Sequence, residues 1–198
     1  LNIYKNKFPD NEKEIAFVLS NLANVHRNLG EYQKAQELFE KNIAFYSNNP
    51  PKTYVDFAWL LLYSGYIYQD LNNYEKAKEQ YEKCIAVCQE HLPKNHIINA
   101  WGLSSLGNVY RKFGNLEKAK NLIERAVSIC KIHLSDNHVG YAFIINHLGC
   151  VYREKGDYKK ARALFEKSLL IYKAHYKKDH VRTALTLEEL AKLDLLQG

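Results

Sequence analysis

The sequence predicts an all-α protein, a right-handed superhelical solenoid built from antiparallel helix pairs. The first observation behind this prediction is an internal repeat, because the 198-residue chain matches itself at a shift of 42 residues, as at Ala35, Ala77, Ala119 and Ala161. The second observation is the helical spacing of apolar residues, which occurs in two segments of every period. A helix pair of this size cannot bury its own apolar faces, so neighbouring pairs must stack on one another.

The bounds of the predicted helices follow from the positions in each repeat at which a helix can end. A first helix ends at Gly30, Asn72, Gly114 or Gly156, residues that tolerate the positive φ of a helix end, and a second helix starts two residues later. The predicted complete helices are 13–29, 32–48, 55–71, 74–92, 97–113, 116–134, 139–155 and 158–177. Partial helices are predicted at 1–8 and 181–196.

These helices predict one array across residues 1–198. Its four repeats lie at about 13–50, 55–93, 97–135 and 139–177, followed by a partial repeat at 181–198. Because the pattern opens in a second helix and closes after a first helix, and because Met is absent, we expect a stretch of a longer array. Unpartnered apolar surface at the two ends would then allow self-association.

Small residues mark where the two helices of a pair approach. Ala23, Gly65, Gly107 and Gly149 are expected to face the recurring alanines of the second helices. The bulky side chains expected to fill the adjoining space are Phe39, Tyr81, Ile123 and Phe165. The pattern therefore predicts close backbone contact within each pair.

Composition excludes several classes of protein. Hydrophobic residues make up 46% of the chain, yet no run approaches the roughly 18 consecutive apolar residues of a membrane span. The four cysteines contain no C-x-x-C spacing, which favours a reducing compartment, and we expect a cytoplasmic protein without a membrane segment. The net charge of +6 permits an acidic partner, but Lys and Arg are dispersed along the chain.

The repeat pattern resembles the tetratricopeptide signature W-x2-L-G-x2-Y…A-x3-F…P over essentially the whole chain. The third repeat carries it as L-x2-L-G-x2-Y…A-x3-I and the fourth as I-x2-L-G-x2-Y…A-x3-F. The period of 42 residues and the N-H or D-H before three first helices resemble the long-helix subclass found in kinesin light chains. Two departures stand out: aliphatic residues fill the usual Trp position, and the usual Pro position holds Ser47, Gln89, Lys131 and Lys173.

Signals of catalysis are absent, since the sequence lacks the P-loop, dinucleotide, zinc-protease and nucleophile-elbow motifs. We therefore expect no enzyme activity, no cofactor and no small-molecule substrate. Histidines recur every 42 residues, but a solenoid places equivalent residues on successive turns, where they cannot share one metal ion. Capping and interhelix packing are the expected roles of the histidines, with Asn95, Asn137 and Asp179 as N-caps. Cys84, Cys88 and Cys130 are expected to pack in the core.

The candidate binding residues form a stripe on the first helices, at spacings of three, four and three residues. We name it the first-helix stripe, and it consists of Phe17, Ser20, Asn24 and Arg27; Trp59, Leu62, Tyr66 and Gln69; Trp101, Ser104, Asn108 and Arg111; and Phe143, Asn146, Cys150 and Arg153. Tyr63 joins the candidate residues as a further aromatic anchor beside Leu62. The resemblance implies that first helices line a concave groove, so these residues would face a ligand.

The chemistry of the stripe suits a peptide. Its Asn residues can both donate to and accept from an extended backbone, its Arg residues can fork onto carboxylates, and its Trp and Tyr residues resemble binding hot spots. Asp70 and Glu154 follow stripe residues, so a carboxylate-bearing peptide is favoured only weakly over a neutral one. The opposing interpretation is that the aromatic residues merely pack between repeats.

The predicted function is that of a non-catalytic module that binds a protein or peptide. An acidic peptide is one candidate partner. Two alternatives remain. The array could be a structural or regulatory arm that packs against another domain of the same longer protein. It could also bind RNA, although Gln69, Asp70 and Glu154 interrupt the continuous basic groove that nucleic-acid binding requires.

Overall fold

The computed structural model describes residues 12–48, 54–176 and 180–197. For residues 12–17, 47 and 48 it describes the backbone but not the side chains. The described residues form nine helices and no strand. They are α1 Glu12–Asn28, α2 Tyr32–Asn48, α3 Tyr54–Asp70, α4 Tyr74–His91, α5 Ile97–Lys112, α6 Leu116–His133, α7 Val139–Glu154, α8 Tyr158–His175 and α9 Val181–Gln197. The predicted partial helix at 1–8 lies outside the described residues.

Successive helices pack as antiparallel pairs, and the chain divides into two compact units. The first unit, Leu1–Lys94, contains the pairs α1 with α2 and α3 with α4, and α2 also packs on α3. The second unit, Asn95–Gly198, contains α5 with α6 and α7 with α8, with α9 packed on α8. The all-α class and the solenoid stacking of helix pairs are confirmed within each unit. A single array across 1–198 stays a prediction.

The ends of the first helices follow the predicted rule. Gly30, Gly114 and Gly156 have φ of 78°, 77° and 80°, and Asn72 occupies the same position with φ of 58°. The following residue starts the next helix, since the Asn73 side chain accepts a hydrogen bond from the backbone N–H of Lys76 at 3.1 Å. Asn115 and Asp157 cap α6 and α8 in the same way. In these three turns, a residue with positive φ ends the first helix and the next residue caps the second helix.

The predicted N-caps of the first helices are wrong where they can be checked. His96 caps α5 and His138 caps α7, because each imidazole accepts a hydrogen bond from the backbone N–H two residues later. Asn95 lies one residue earlier with φ of 64°, which leaves its side chain outside the capping position. Asp179 lies outside the described residues. Capping by the recurring histidines is therefore confirmed, whereas capping by the preceding asparagine is not.

In three of the four pairs, a glycine of the first helix faces the bulky residue of the second helix, whereas the first pair has Ala23 at this position. A Cβ atom on Gly149 would lie 2.6 Å from Cε1 of Phe165, and one on Gly107 would lie 2.5 Å from Cγ1 of Ile123 and 3.0 Å from the carbonyl oxygen of Ala119. Both bulky side chains are fully buried. The glycines therefore make room mainly for a large side chain, and at Gly107 a close approach to the backbone of Ala119 accompanies this contact.

All four cysteines are free and buried, as expected of the packing positions Cys84, Cys88 and Cys130 but not of the stripe residue Cys150. Cys84 donates a hydrogen bond to the carbonyl oxygen of Ala58 at 3.3 Å, and Ser168, two periods later, donates to that of Ala142 at 3.1 Å. These contacts tie a second helix to its own first helix. Burial raises the pKa of the Cys130 thiol to about 12, which keeps that side chain uncharged.

Other histidines stack between elements. The rings of Tyr54 and His91 lie 3.5 Å apart in a stacked arrangement, as do those of Tyr176 and His180. The ring nitrogen Nε2 of His133 lies 2.7 Å from the carbonyl oxygen of Asn95. Interhelix packing by the recurring histidines is thereby confirmed.

Apolar side chains remain exposed on α1 and α9. On α1 they include Val25 at 52% and Leu29 at 69%, and on α9 they include Leu195 at 85%. Across the residues that the structure describes, none of the helices is long and apolar enough to cross a membrane.

Candidate functional site

In the first unit, the first-helix stripe begins on α1. Ser20 is half-buried, and its hydroxyl oxygen accepts a hydrogen bond from Nδ2 of Asn42 on α2 at 2.8 Å. Asn24 is also half-buried, one turn further along. The side chain of Phe17 lies outside the described residues.

Arg27 links α1 to α3. Its Nε donates a hydrogen bond to the carboxylate of Asp70 at 2.8 Å, and its guanidinium carbon lies 5.5 Å from the ring centroid of Tyr66. A carboxylate of the same chain therefore already occupies the fork that was expected to bind a ligand carboxylate.

The aromatic residues of α3 form a continuous row. The rings of Trp59 and Tyr63 are stacked with centroids 5.5 Å apart, and the rings of Tyr63 and Tyr66 meet edge to face at 6.1 Å. All three side chains are half-buried, whereas Leu62 is fully buried. Because each ring supports the next, the row is ordered before any ligand arrives.

Gln69 closes the stripe on α3. Its side-chain oxygen accepts a hydrogen bond from the hydroxyl of Tyr81 on α4, and the residue is half-buried. Tyr81 also packs against Gly65, so a single buried tyrosine positions both the helix pair and this stripe residue.

In the second unit, the stripe begins with Trp101 on α5. This half-buried ring lies directly against Gly140 of α7, where any side chain would collide with it. One repeat later, Phe143 is half-buried, and the centroids of its ring and the His147 ring lie 4.3 Å apart. Trp101 thus packs against another helix, whereas the contact of Phe143 with His147 lies within α7, and both rings are only partly buried.

Ser104 is fully buried, and its partner is a histidine that the sequence analysis did not single out. The Ser104 hydroxyl oxygen and Nδ1 of His147 lie 2.9 Å apart and share a hydrogen bond. Burial, together with the positive charges of Arg111 and Arg182, lowers the pKa of His147 to about 3. The imidazole is consequently neutral at physiological pH.

Arg111 is the most highly bonded residue of the stripe. Its Nε and Nη2 both donate to the side-chain oxygen of Asn108, at 3.0 and 2.9 Å, and its Nη1 pairs with the carboxylate of Glu154 on α7. Asn108 is half-buried, and its side-chain amide nitrogen takes no part in these bonds.

The stripe of α7 is bonded to α9 throughout. Asn146 donates through Nδ2 to the hydroxyl of Thr186 at 3.1 Å, and Arg153 pairs with Glu189 at 2.6 Å. Cys150 is buried, and its thiol lies 3.7 Å from the Glu189 carboxylate. Burial raises the pKa of the Cys150 thiol to about 12, and the negative charge of Glu189 acts in the same direction.

A common spacing underlies these bonds. Arg27 with Asp70, Ser104 with His147 and Arg111 with Glu154 are each 43 residues apart, one period plus one residue. The stripe is therefore also the line along which successive first helices touch within a unit. A search for complementary side chains at this offset would have found the partners that the sequence analysis missed.

The described part of the chain contains no group of three or more His, Cys, Asp or Glu side chains placed to hold a metal ion. Amide groups, aromatic rings and paired charges suit recognition by hydrogen bonding and stacking.

Comparison with known structures supports the same architecture. A crystal structure of a kinesin light chain from Podosopora anserina with nearly identical TPR-like repeats is 21% identical, covers 96% of this chain and 89% of its own, and gives a TM-score of 0.72. A single-substitution variant of that protein gives 0.71 at 21% identity, covering 91% and 85%. The BtubC (BKLC) structure from P. vanneervenii gives 0.78 at 16% identity, covering 97% and 78%. At these identities the likeness concerns the fold.

A comparison with curated proteins gave no match. The tetratricopeptide repeat model matches residues 14–90, 56–132, 100–174 and 140–198. Such repeats are in general protein-interaction scaffolds and typically have no catalytic role. The chain belongs to the tetratricopeptide repeat family.

Proposed function

We propose that the chain is a non-catalytic scaffold that binds a protein or peptide along the first-helix stripe, with the first helices lining a concave groove. Its free, buried thiols suit a reducing compartment, and we place it in the cytoplasm.

The aromatic row of Trp59, Tyr63 and Tyr66 is the observation that carries this proposal. Partly exposed aromatic side chains that are already held in one arrangement lose little conformational entropy on binding and are enriched among interface hot spots. A ligand side chain that lies on this row would gain both apolar burial and ring contact.

Amide groups would supply the second contribution. The half-buried Asn24 in the first unit and Asn108 in the second can each bond an extended backbone without demanding a particular sequence. Because Arg27, Arg111 and Arg153 are paired within the chain, we assign them mainly to positioning these groups.

The test is selection of a random peptide library against the purified chain, followed by affinity measurements on Tyr63→Ala and Asn24→Ala. The selected peptides should bind each variant about tenfold more weakly, as expected for loss of an interface anchor or a hydrogen bond. Tyr74→Ala, which truncates a half-buried tyrosine on second helix α4, is the matched control and should retain affinity.

The alternatives give different outcomes. An RNA-binding surface would select no peptides but would bind oligonucleotides with steep salt dependence. A structural or regulatory arm would bind neither, and its partner would be another domain of a longer chain. Peptides that bind all stripe variants as tightly as the unmodified chain would contradict the proposed site.

A further inference from the structure

The arginines of the stripe already have acidic partners, which changes where a ligand carboxylate could bind. Arg27 pairs with Asp70, Arg111 with Glu154, and Arg153 with Glu189. A ligand carboxylate at any of these positions would have to displace one from the protein.

Arg182, at the start of α9, differs from them. Among the residues that the structure describes, no carboxylate lies within ion-pair distance of its guanidinium group. Its guanidinium carbon instead lies 4.5 Å from the ring centroid of Phe143, a stripe residue of α7. The arginine as a whole is half-buried.

The surroundings of Arg182 hold it in place without neutralising it. The hydroxyl of the buried Tyr172 lies beside it, and burial raises the pKa of that hydroxyl, although the charge and hydrogen bonding of Arg182 act against the rise. The ring of Phe143, over which Arg182 lies, also packs against His147, and this imidazole is neutral.

We propose that Arg182 is the carboxylate-binding residue of the second unit and pairs with an acidic group of the bound peptide. The inference rests on the proposed function and adds to it the chemistry of the ligand at one position. Phe143 fixes the plane of the guanidinium, and the planar fork can accept both oxygens of a carboxylate.

Two groups of a peptide share this chemistry, an Asp or Glu side chain and the C-terminal carboxylate. Synthetic versions of a selected peptide with Asp or Glu replaced by its amide, and with a free or amidated C-terminus, separate them. The group that contacts Arg182 is the one whose neutralisation weakens binding to the unmodified chain but not to Arg182→Gln.

The experiment begins with the same random peptide library, selected against the unmodified chain and against Arg182→Gln. Peptides from the unmodified chain should be enriched in carboxylates and should bind Arg182→Gln about fivefold to tenfold more weakly, a loss that grows as salt is lowered. Arg182→Lys keeps the charge but loses the fork, and should have intermediate affinity.

Arg125→Gln is the matched control, because it removes the same charge from an exposed position on second helix α6. It should leave affinity unchanged, and far-UV circular dichroism should show equal helix content in all variants. Sodium acetate, compared with sodium chloride at equal ionic strength, should shift the Nε–Hε resonance of Arg182 in the absence of peptide.

Asp179 lies three residues before Arg182, outside the described residues. Affinity that rises several-fold in Asp179→Asn would mean that this acid already engages Arg182, which contradicts the proposal. Peptides that bind without carboxylate preference, or equally well to Arg182→Gln, overturn it while leaving the proposed function intact. Selection that yields no peptide at all overturns both.

Discussion

Arg27, Arg111 and Arg153 each carry a carboxylate partner on the next first helix of their unit. At the scale of single residues, this pairing determines what the stripe can offer a ligand. Exposed ion pairs contribute at most about 1 kcal/mol to stability, but they fix the direction of long side chains and cancel their charge. Selectivity is therefore expected from aromatic and amide groups, together with Arg182.

His147 gives a prediction about pH. Its pKa is lowered from 6.5 to about 3 in the folded chain, so between these values only the unfolded chain binds the proton. The contribution of His147 to stability is complete above pH 6.5 and is lost progressively as the pH falls towards 3, by about 1.4 kcal/mol for each pH unit.

Urea unfolding at pH 7.0, 5.5 and 4.5 would measure this loss. His147→Gln, which cannot titrate in this range, should show a smaller decrease in unfolding free energy on acidification. His175→Gln, an exposed histidine on α8, is the control and should follow the unmodified chain. Identical pH profiles for His147→Gln and the unmodified chain would contradict the assignment.

At the scale of helix pairs, Gly65, Gly107 and Gly149 are each matched to one buried side chain on the partner helix. Gly149→Ala should destabilise the fold by about 1–3 kcal/mol, because the new Cβ would lie 2.6 Å from the ring of Phe165. Chemical denaturation would measure this change.

The matched variant for this prediction is Gly149→Ala combined with Phe165→Leu. The smaller side chain should relieve the collision, so the two substitutions together should cost less than the sum of the separate effects. If Gly149→Ala alone raises stability, the gain in helix propensity outweighs the collision and the packing is less rigid than inferred.

The elements themselves show which parts of the fold were readable in advance. Predicted and observed helix ends differ by at most two residues within the described ranges, because glycine, asparagine and apolar spacing act locally. The predicted N-caps of α5 and α7 were misplaced by one residue, since the side chains of His96 and His138 accept the hydrogen bonds from the first backbone N–H groups. Sequence preference for Asn at N-caps could not reveal which side chain reaches them.

At the scale of the whole molecule, the compact unit Asn95–Gly198 contains complete helix pairs with their own buried core. A fragment of residues 95–198 should therefore fold alone, because repeat proteins are stabilised by contacts within and between neighbouring repeats. Circular dichroism should show a helical spectrum and cooperative thermal unfolding.

A fragment of residues 116–198 is the comparison for this prediction. It lacks α5, so Ala119 and Ile123 lose the helix that buries them, and its unfolding should occur at lower temperature. A disordered spectrum for 95–198 would show that the unit depends on the rest of the chain. Self-association through the exposed ends of the array stays a prediction, so both fragments would be compared at equal concentration.

The sequence by itself determined the repeat, the helices, the interhelix turns and the residue columns that face the core, because each depends on spacing along one or two adjacent helices. Only the tertiary structure decided what the stripe residues bond to. Ser104 meets His147, and Arg111 meets Glu154, because stacking of helix pairs brings together side chains that lie one period and one residue apart. The ring beneath Arg182 likewise depends on how α9 packs against α7. Local preference cannot encode such contacts, since they arise from the geometry between helices.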